Sequence, residues 1–147
     1  MGNTNEMLVE FEAIGENESL ARIVVAAFVS KVNPTLEELG DIKVAVSEAV
    51  TNAIIHGYEG NGGTIQMRIA LDGHKLTIVI TDKGKGIPDV EKAMEPLFTT
   101  KPEEERSGMG FSFMEAFTNE LMVESKPGEG TRITMVKMMG EQDGSDN

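Results

Sequence analysis

Ser47-Glu48-Ala49-Val50-Thr51-Asn52-Ala53-Ile54-Ile55-His56-Gly57 is the stretch on which the reading of this chain turns. Ala49, Val50 and Ala53 continue an apolar row that begins at Leu36, Leu39, Ile42 and Val46, at the spacing of a helix with one buried face. Glu48, Asn52 and His56 fall at i, i+4 and i+8, so they form a polar stripe displaced from that face. A polar stripe beside a core can line a pocket. Upstream, Thr35 followed three residues later by Glu38 is a capping box that opens the helix, and Gly57 is placed to end it.

Working outward, Leu20, Ile23, Val24, Ala27, Phe28 and Val32 recur at helical spacing from a polar start at Asn17, and Asn33-Pro34 closes the run. Met7 to Phe11 alternates weakly, as a short first strand would, ending before Gly15. Downstream, Thr64 to Leu71 and Lys75 to Thr81 are β-rich runs joined by Asp72-Gly73-His74, a hairpin signal. Between Asp82 and Gly110 the chain is rich in Gly, Pro and charge, with a short helical piece at Val90 to Met94; loops of that length are usually functional or disordered. Phe111 to Phe117 reads as a helix, and Leu121 to Ser125 with Thr131 to Met138 reads as a closing hairpin around Pro127-Gly128-Glu129-Gly130. The order predicts an α/β two-layer sandwich, a mostly antiparallel sheet covered on one face by helices. It forms a single domain over residues 1–139, with a disordered tail at 140–147.

Composition narrows the function. A chain of 147 residues, 39% hydrophobic, fits one globular core. Its longest apolar stretch, Ile23 to Val29, is far short of the roughly 20 residues of a membrane span, and no signal-peptide pattern opens it, so a soluble cytoplasmic protein is expected. The absence of cysteine excludes disulfides and thiolate metal sites. A net charge of -12 argues against direct nucleic-acid binding; it suits a basic protein partner, and on composition alone it equally serves solubility. Screening acts over about 8 Å at physiological salt, so a local cation cluster can still hold a polyanion.

Three segments carry chemistry. Asn52 offers a carboxamide oxygen that Mg²⁺ accepts, and Glu48, one turn earlier, offers a carboxylate able to orient or deprotonate a hydroxyl. Taken singly, such helix residues normally face water, and His56 reads as a helix-end residue. In Asp82-Lys83-Gly84-Lys85-Gly86 the carboxylate can accept from an exocyclic amine such as adenine N6, with Gly84 and Gly86 letting backbone approach the base. By itself that pattern is a common turn. Ser107-Gly108-Met109-Gly110, just before a helix, can seat a phosphate; Lys101 and Arg106 are near enough in sequence to bind its oxygens, although charges in such a loop are usually solvated, and Thr99 and Thr100 add hydroxyls that could touch the nucleotide or simply cap a turn.

In this order the segments resemble the nucleotide-binding family shared by gyrase, the Hsp90 chaperones, sensor histidine kinases and MutL. Glu48 to Gly57 matches its N motif, Asp82 to Gly86 its first glycine motif and Ser107 to Gly110 its second. Over nearly the whole chain the sequence is similar to one branch, the anti-sigma F factors of spore-forming bacteria, which are serine kinases. That similarity runs through Glu16-Asn17-Glu18-Ser19, Ala21-Arg22, Ser47 to Tyr58, Pro96-Leu97-Phe98-Thr99-Thr100-Lys101-Pro102 and Arg106 to Phe111.

The resemblance implies ATP and ADP as ligands with Mg²⁺ held by Asn52, Glu48 as catalytic base, and Asp82 with Gly84 and Gly86 at the adenine. It also implies a phosphate-covering lid that contains Thr99, Thr100, Lys101, Arg106, Ser107, Gly108, Met109 and Gly110. Arg22, on the residues alone a solvated charge, becomes a partner-gripping arginine. The implied cycle is that of a homodimer sequestering sigma factor F and phosphorylating an anti-anti-sigma protein on serine. Other readings are an anti-sigma kinase for a stress sigma factor, a nucleotide-switched binding module, a histidine-kinase fragment and a chaperone-like ATPase. Against the fragment, the chain's His56 and His74 lie outside any helical dimerisation segment; against the ATPase stand the short length and lack of accessory domains.

Overall fold

A computed structural model describes residues 4–95 and 110–140. In chain order it contains β1 (Thr4–Glu12), α1 (Gly15–Val29), a 3-10 turn (Ser30–Val32), α2 (Leu36–Thr51), a π turn (Asn52–Gly57), β2 (Thr64–Asp72), β3 (Lys75–Asp82), α3 (Val90–Ala93), α4 (Gly110–Ala116), β4 (Glu120–Lys126) and β5 (Gly130–Met138). The five strands pair antiparallel throughout, in the order β1-β2-β3-β5-β4.

Period-2 alternation places the core. On β2 the residues Ile65, Met67, Ile69 and Leu71 are buried, while Gln66 and Arg68 between them are exposed and Ala70 is half-buried. The register carries that apolar row across the sheet, with Ile69 opposite Ile78 and Ile78 opposite Met135, then Ile80 opposite Ile133. Against this face lie Ala21, Val25, Phe28 and Val29 of α1, Ile42, Ala45, Val46, Ala49 and Val50 of α2, and Met114 of α4. Burying each large member removes roughly 1.5–3 kcal/mol worth of apolar surface from water. Helices on one face of an antiparallel sheet form the expected two-layer sandwich.

Local signals set the element ends. The Thr35 hydroxyl accepts from Glu38 N–H at 3.0 Å while Glu38 Oε1 accepts from Thr35 N–H at 2.9 Å, the reciprocal capping box. A two-residue turn, Gly73-His74, joins β2 to β3, with Gly73 at φ +63°.

Three expectations need correction. Helix α1 starts at Gly15, not Asn17; Asn17 instead donates its side-chain amide to the Glu12 carbonyl at 3.0 Å, tying the helix to the strand before it. Its apolar row holds only in part: Phe28 is buried and Val24 and Val32 pack against the core, but Leu20 (55% exposed), Ile23 (60%) and Ala27 face solvent, and Ala21, Val25 and Val29 are buried instead. The run Ile23 to Val29 is apolar on every side, so periodicity admits two faces, and contact with α2 and the sheet selects one. On α2, Leu36 is 87% exposed because it sits at the first helical position, clear of the sheet.

The long helix also departs from α geometry. After Thr51 it widens into the π turn, and Tyr58 N–H bonds back five residues to the Ala53 carbonyl at 2.9 Å. His56 lies inside that turn and is half-buried. At the other end of the chain Gly140, assigned to the tail by sequence, is buried and donates to Glu38 Oε1 at 3.1 Å; residues 141–147 lie outside the described residues.

Candidate functional site

Asp82 is the last residue of β3 and is 3% exposed, the one buried ionisable side chain among the described residues. Its Oδ1 accepts from Gly84 N–H at 2.8 Å, and the backbone N–H of Thr131 also donates to the carboxylate. Burial pushes the carboxyl above its ordinary value of 3.8, against the lowering effect of those two donors. An ionised carboxylate has about four acceptor positions, so two backbone bonds leave capacity for a ligand amine.

The chain turns back on itself around this carboxylate. The Gly57 carbonyl, at the end of the π turn, accepts from Lys85 N–H at 2.9 Å. A Cβ on Gly84 would stand 2.1 Å from that carbonyl oxygen, so the approach of the loop to the exit of α2 requires glycine. Gly130 has φ +91°, and a Cβ there would stand 2.1 Å from the Asp82 carbonyl. On the hairpin side, Ser125 Oγ accepts from Ile87 N–H at 2.7 Å and donates to the Gly130 carbonyl at 2.8 Å. Thr131 Oγ1 lies 2.8 Å from the same hydroxyl, and Gly128 N–H donates to the Lys85 carbonyl. Gly86, also at positive φ, is buried in this weave.

Glu48 and Asn52 stand one turn apart on the same helix, both half-buried, and Asn52 occupies the junction between α2 and the π turn. Its backbone N–H bonds to the Glu48 and Ala49 carbonyls, and its carboxamide oxygen is chemically a single neutral ligand. That donor suits a hard cation such as Mg²⁺, which keeps most of its shell as water and phosphate oxygens. Among the described residues no cluster of three or more His, Asp or Glu could hold a metal by itself.

Gly110 opens α4 and is buried. Thr99, Thr100, Lys101, Arg106, Ser107, Gly108 and Met109 lie outside the described residues. Arg22 sits apart on α1, where its Nε meets Glu18 Oε2 at 2.9 Å and one guanidinium nitrogen donates to Ser19 Oγ at 3.2 Å. Sequence reasoning missed Tyr58, Ser125, Gly130 and Thr131 as parts of the Asp82 corner, and read Gly57 as a helix end and the close of the N motif without its contact to the Gly84 loop. Glycines beside the hairpin turn were visible, but nothing local shows that they meet Asp82.

The chain matches the model of the histidine kinase-like ATPase domain over residues 11–137. It is 56% identical over 140 residues to the anti-sigma F factor of Thermoanaerobacter sp. strain X514, covering 95% of this chain and 98% of that protein. Identity is 55% over 133 residues to the anti-sigma F factor of Clostridium acetobutylicum, with 90% and 93% covered. For that of Bacillus licheniformis it is 51% over 138 residues, with 93% and 94% covered. The fold is also similar, at TM-score 0.65 and 19% identity, to a crystal structure of the RsbU and RsbW domains of Rv1364c from Mycobacterium tuberculosis; the match covers 92% of this chain and 32% of that one. With a family model that spans residues 11–137 and relatives 51–56% identical over the aligned residues, the chain belongs to the histidine kinase-like ATPase domain family, among its anti-sigma F relatives.

Proposed function

We propose that the chain is an ATP-dependent protein-serine kinase that doubles as an anti-sigma factor, sequestering sigma factor F and phosphorylating its anti-anti-sigma protein. The observation that carries the reading is the Asp82 corner: a buried carboxylate with spare acceptor capacity, at a turn where backbone packs too closely for side chains. Similarity to proteins named anti-sigma F factor supports the sigma partner. Residues 1–139 act as one ATP-binding unit, in the cytoplasm and as a homodimer; among the described residues no helix is long and apolar enough to cross a membrane.

In this reading Asp82 accepts from the adenine amine and Gly84 and Gly86 give the base room. The lid segment brings Thr99, Thr100, Lys101, Arg106, Ser107, Gly108, Met109 and Gly110 to the phosphates, and Arg22 grips the protein partners. When bound at Asn52, Mg²⁺ offsets charge on the phosphate oxygens. Glu48 accepts the seryl proton as the serine oxygen bonds to the γ-phosphorus and the bond to the β,γ-bridging oxygen breaks, leaving ADP and phosphoserine. The phosphorylated partner then no longer competes for the complex.

The test follows labelled γ-phosphate from Mg·ATP to an anti-anti-sigma protein. Label should reach serine with the parent and fall by at least about 100-fold with Glu48→Gln, within the range for loss of a general base. Nucleotide binding with no transfer by the parent would favour a switch-type binding module, and equal transfer by the variant would remove Glu48 from the chemistry.

A further inference from the structure

The hydroxyl of Tyr58 stands where the exit of α2 meets the Asp82 corner. It accepts from Lys83 N–H at 2.7 Å and donates to the Thr64 carbonyl at 2.6 Å, so both its donor and an acceptor position are engaged by backbone. Lys83 lies between the buried carboxylate and Gly84. The next two amides along the loop are held as well, Gly84 N–H by Asp82 Oδ1 and Lys85 N–H by the Gly57 carbonyl. Two of these three amides are thus held by adjacent residues, Gly57 and Tyr58, at the end of the helix that carries Glu48 and Asn52. The ring has one seat. It packs against the core and over Gly63, where a Cβ would stand 2.4 Å from Tyr58 Cε1.

We propose that Tyr58 is a positioning residue for the nucleobase, its hydroxyl fixing the Lys83-Gly84 backbone beside Asp82 and tying that backbone to the exit of α2. The proposal rests on Asp82 being the nucleobase acceptor. A phenylalanine would fill the same seat but leave the Lys83 amide and Thr64 carbonyl to find other partners. The backbone beside the carboxylate would then be free to shift, and the loss should fall on the base rather than on the phosphates.

The chain has one tyrosine and no tryptophan, so its intrinsic emission reports Tyr58 alone. Adenosine, lacking any phosphate, should change that emission in the parent. Calorimetry should then find adenosine, ADP and ATP all weakened by one common factor in Tyr58→Phe, roughly five- to tenfold for one lost hydrogen bond of the site. KM for ATP should rise with kcat unchanged. Gly63→Ala keeps the phenol but pushes its ring aside, and it should give the same uniform loss; it decides the matter if Tyr58→Phe does not fold. Unchanged affinities in a folded Tyr58→Phe, or a loss confined to kcat, would overturn the proposal. A parent that binds no adenine nucleoside would overturn the Asp82 reading itself, whatever the variants do.

Discussion

Around Asp82 the end of β3, the exit of α2 and the hairpin between β4 and β5 approach within hydrogen-bond distance of one another, and glycines stand where any side chain would collide. On the outer face of α1, Leu20, Ile23 and Ala27 stand in solvent beside Arg22, with Glu16 and Glu18 on the preceding turn. The first region is defined by side chains that are missing and by backbone groups with fixed partners. The second is defined by side chains in excess and by few constraints. A small ligand needs the former, because its few polar contacts must be in place before it arrives. Single substitutions should therefore act very differently in the two places.

The largest contrast is expected from Gly84→Ala. The new Cβ would press on the Gly57 carbonyl, which is backbone and cannot swing away. ATP affinity should fall on the order of 100-fold, with a lower Tm, as overpacking of a close backbone contact implies. Equilibrium binding and a thermal melt together check it, and an unchanged Kd would mean that the corner is looser than its distances say.

Asp82→Asn sharpens the comparison, because affinity and stability should move in opposite directions. Nucleotide binding should weaken roughly 30-fold through loss of a charged acceptor. The sign of the stability effect follows from the carboxyl's raised pKa. Between 3.8 and that higher value the folded protein holds the proton more tightly than the unfolded chain. Stability therefore falls as pH climbs through the window, and above it the buried charge is a standing cost. Without nucleotide, Asp82→Asn should gain on the parent as pH rises from 4 to 8, which melts at both ends of the range would read. Parent affinity for ATP should rise through the same window as the carboxylate ionises. A parent and variant with parallel stability curves would count against the desolvation of Asp82.

The smallest effect belongs to α1. Leu20→Ser with Ile23→Ser should leave stability within about 0.5 kcal/mol and the ATP Kd unchanged, since neither side chain is in the core. Denaturant melts suffice to check this, and a large loss would mean that this face is covered by something in solution.

The same contrast explains what could be read from sequence. The Thr35/Glu38 capping box and the turn between β2 and β3 are local, spanning a few residues, and their chemistry is written in the residues that perform them. The buried rows of β2 and β3 follow from strict alternation. The face of α1 was legible only in part, through Val24, Phe28 and Val32, because an all-apolar stretch has no phase. The Asp82 corner was half-legible. Asp82, Gly84 and Gly86 stood out as a pattern, but Tyr58 reaches Lys83 across 25 positions and Thr131 reaches Asp82 from the closing hairpin. No period or spacing links such residues before the sheet brings them together. The π turn was equally hidden, because a widened turn keeps the composition of the helix around it.

That widened turn bears on where the chain can change length. Each residue added to or removed from a helix rotates everything beyond it by about 100°. Between Asn52 and Gly57 such a change would swing the Gly57 carbonyl away from Lys85 and carry Tyr58 off Lys83, while Glu48 stayed where it was. Just beyond, Gly60, Asn61 and Gly62 are exposed and form the tip of the connection to β2. An extra residue at that tip is absorbed by the loop. Length should therefore be free to vary a few residues after a segment in which it cannot vary at all, and a scan of single-residue insertions from Thr51 to Gly63 would trace the boundary.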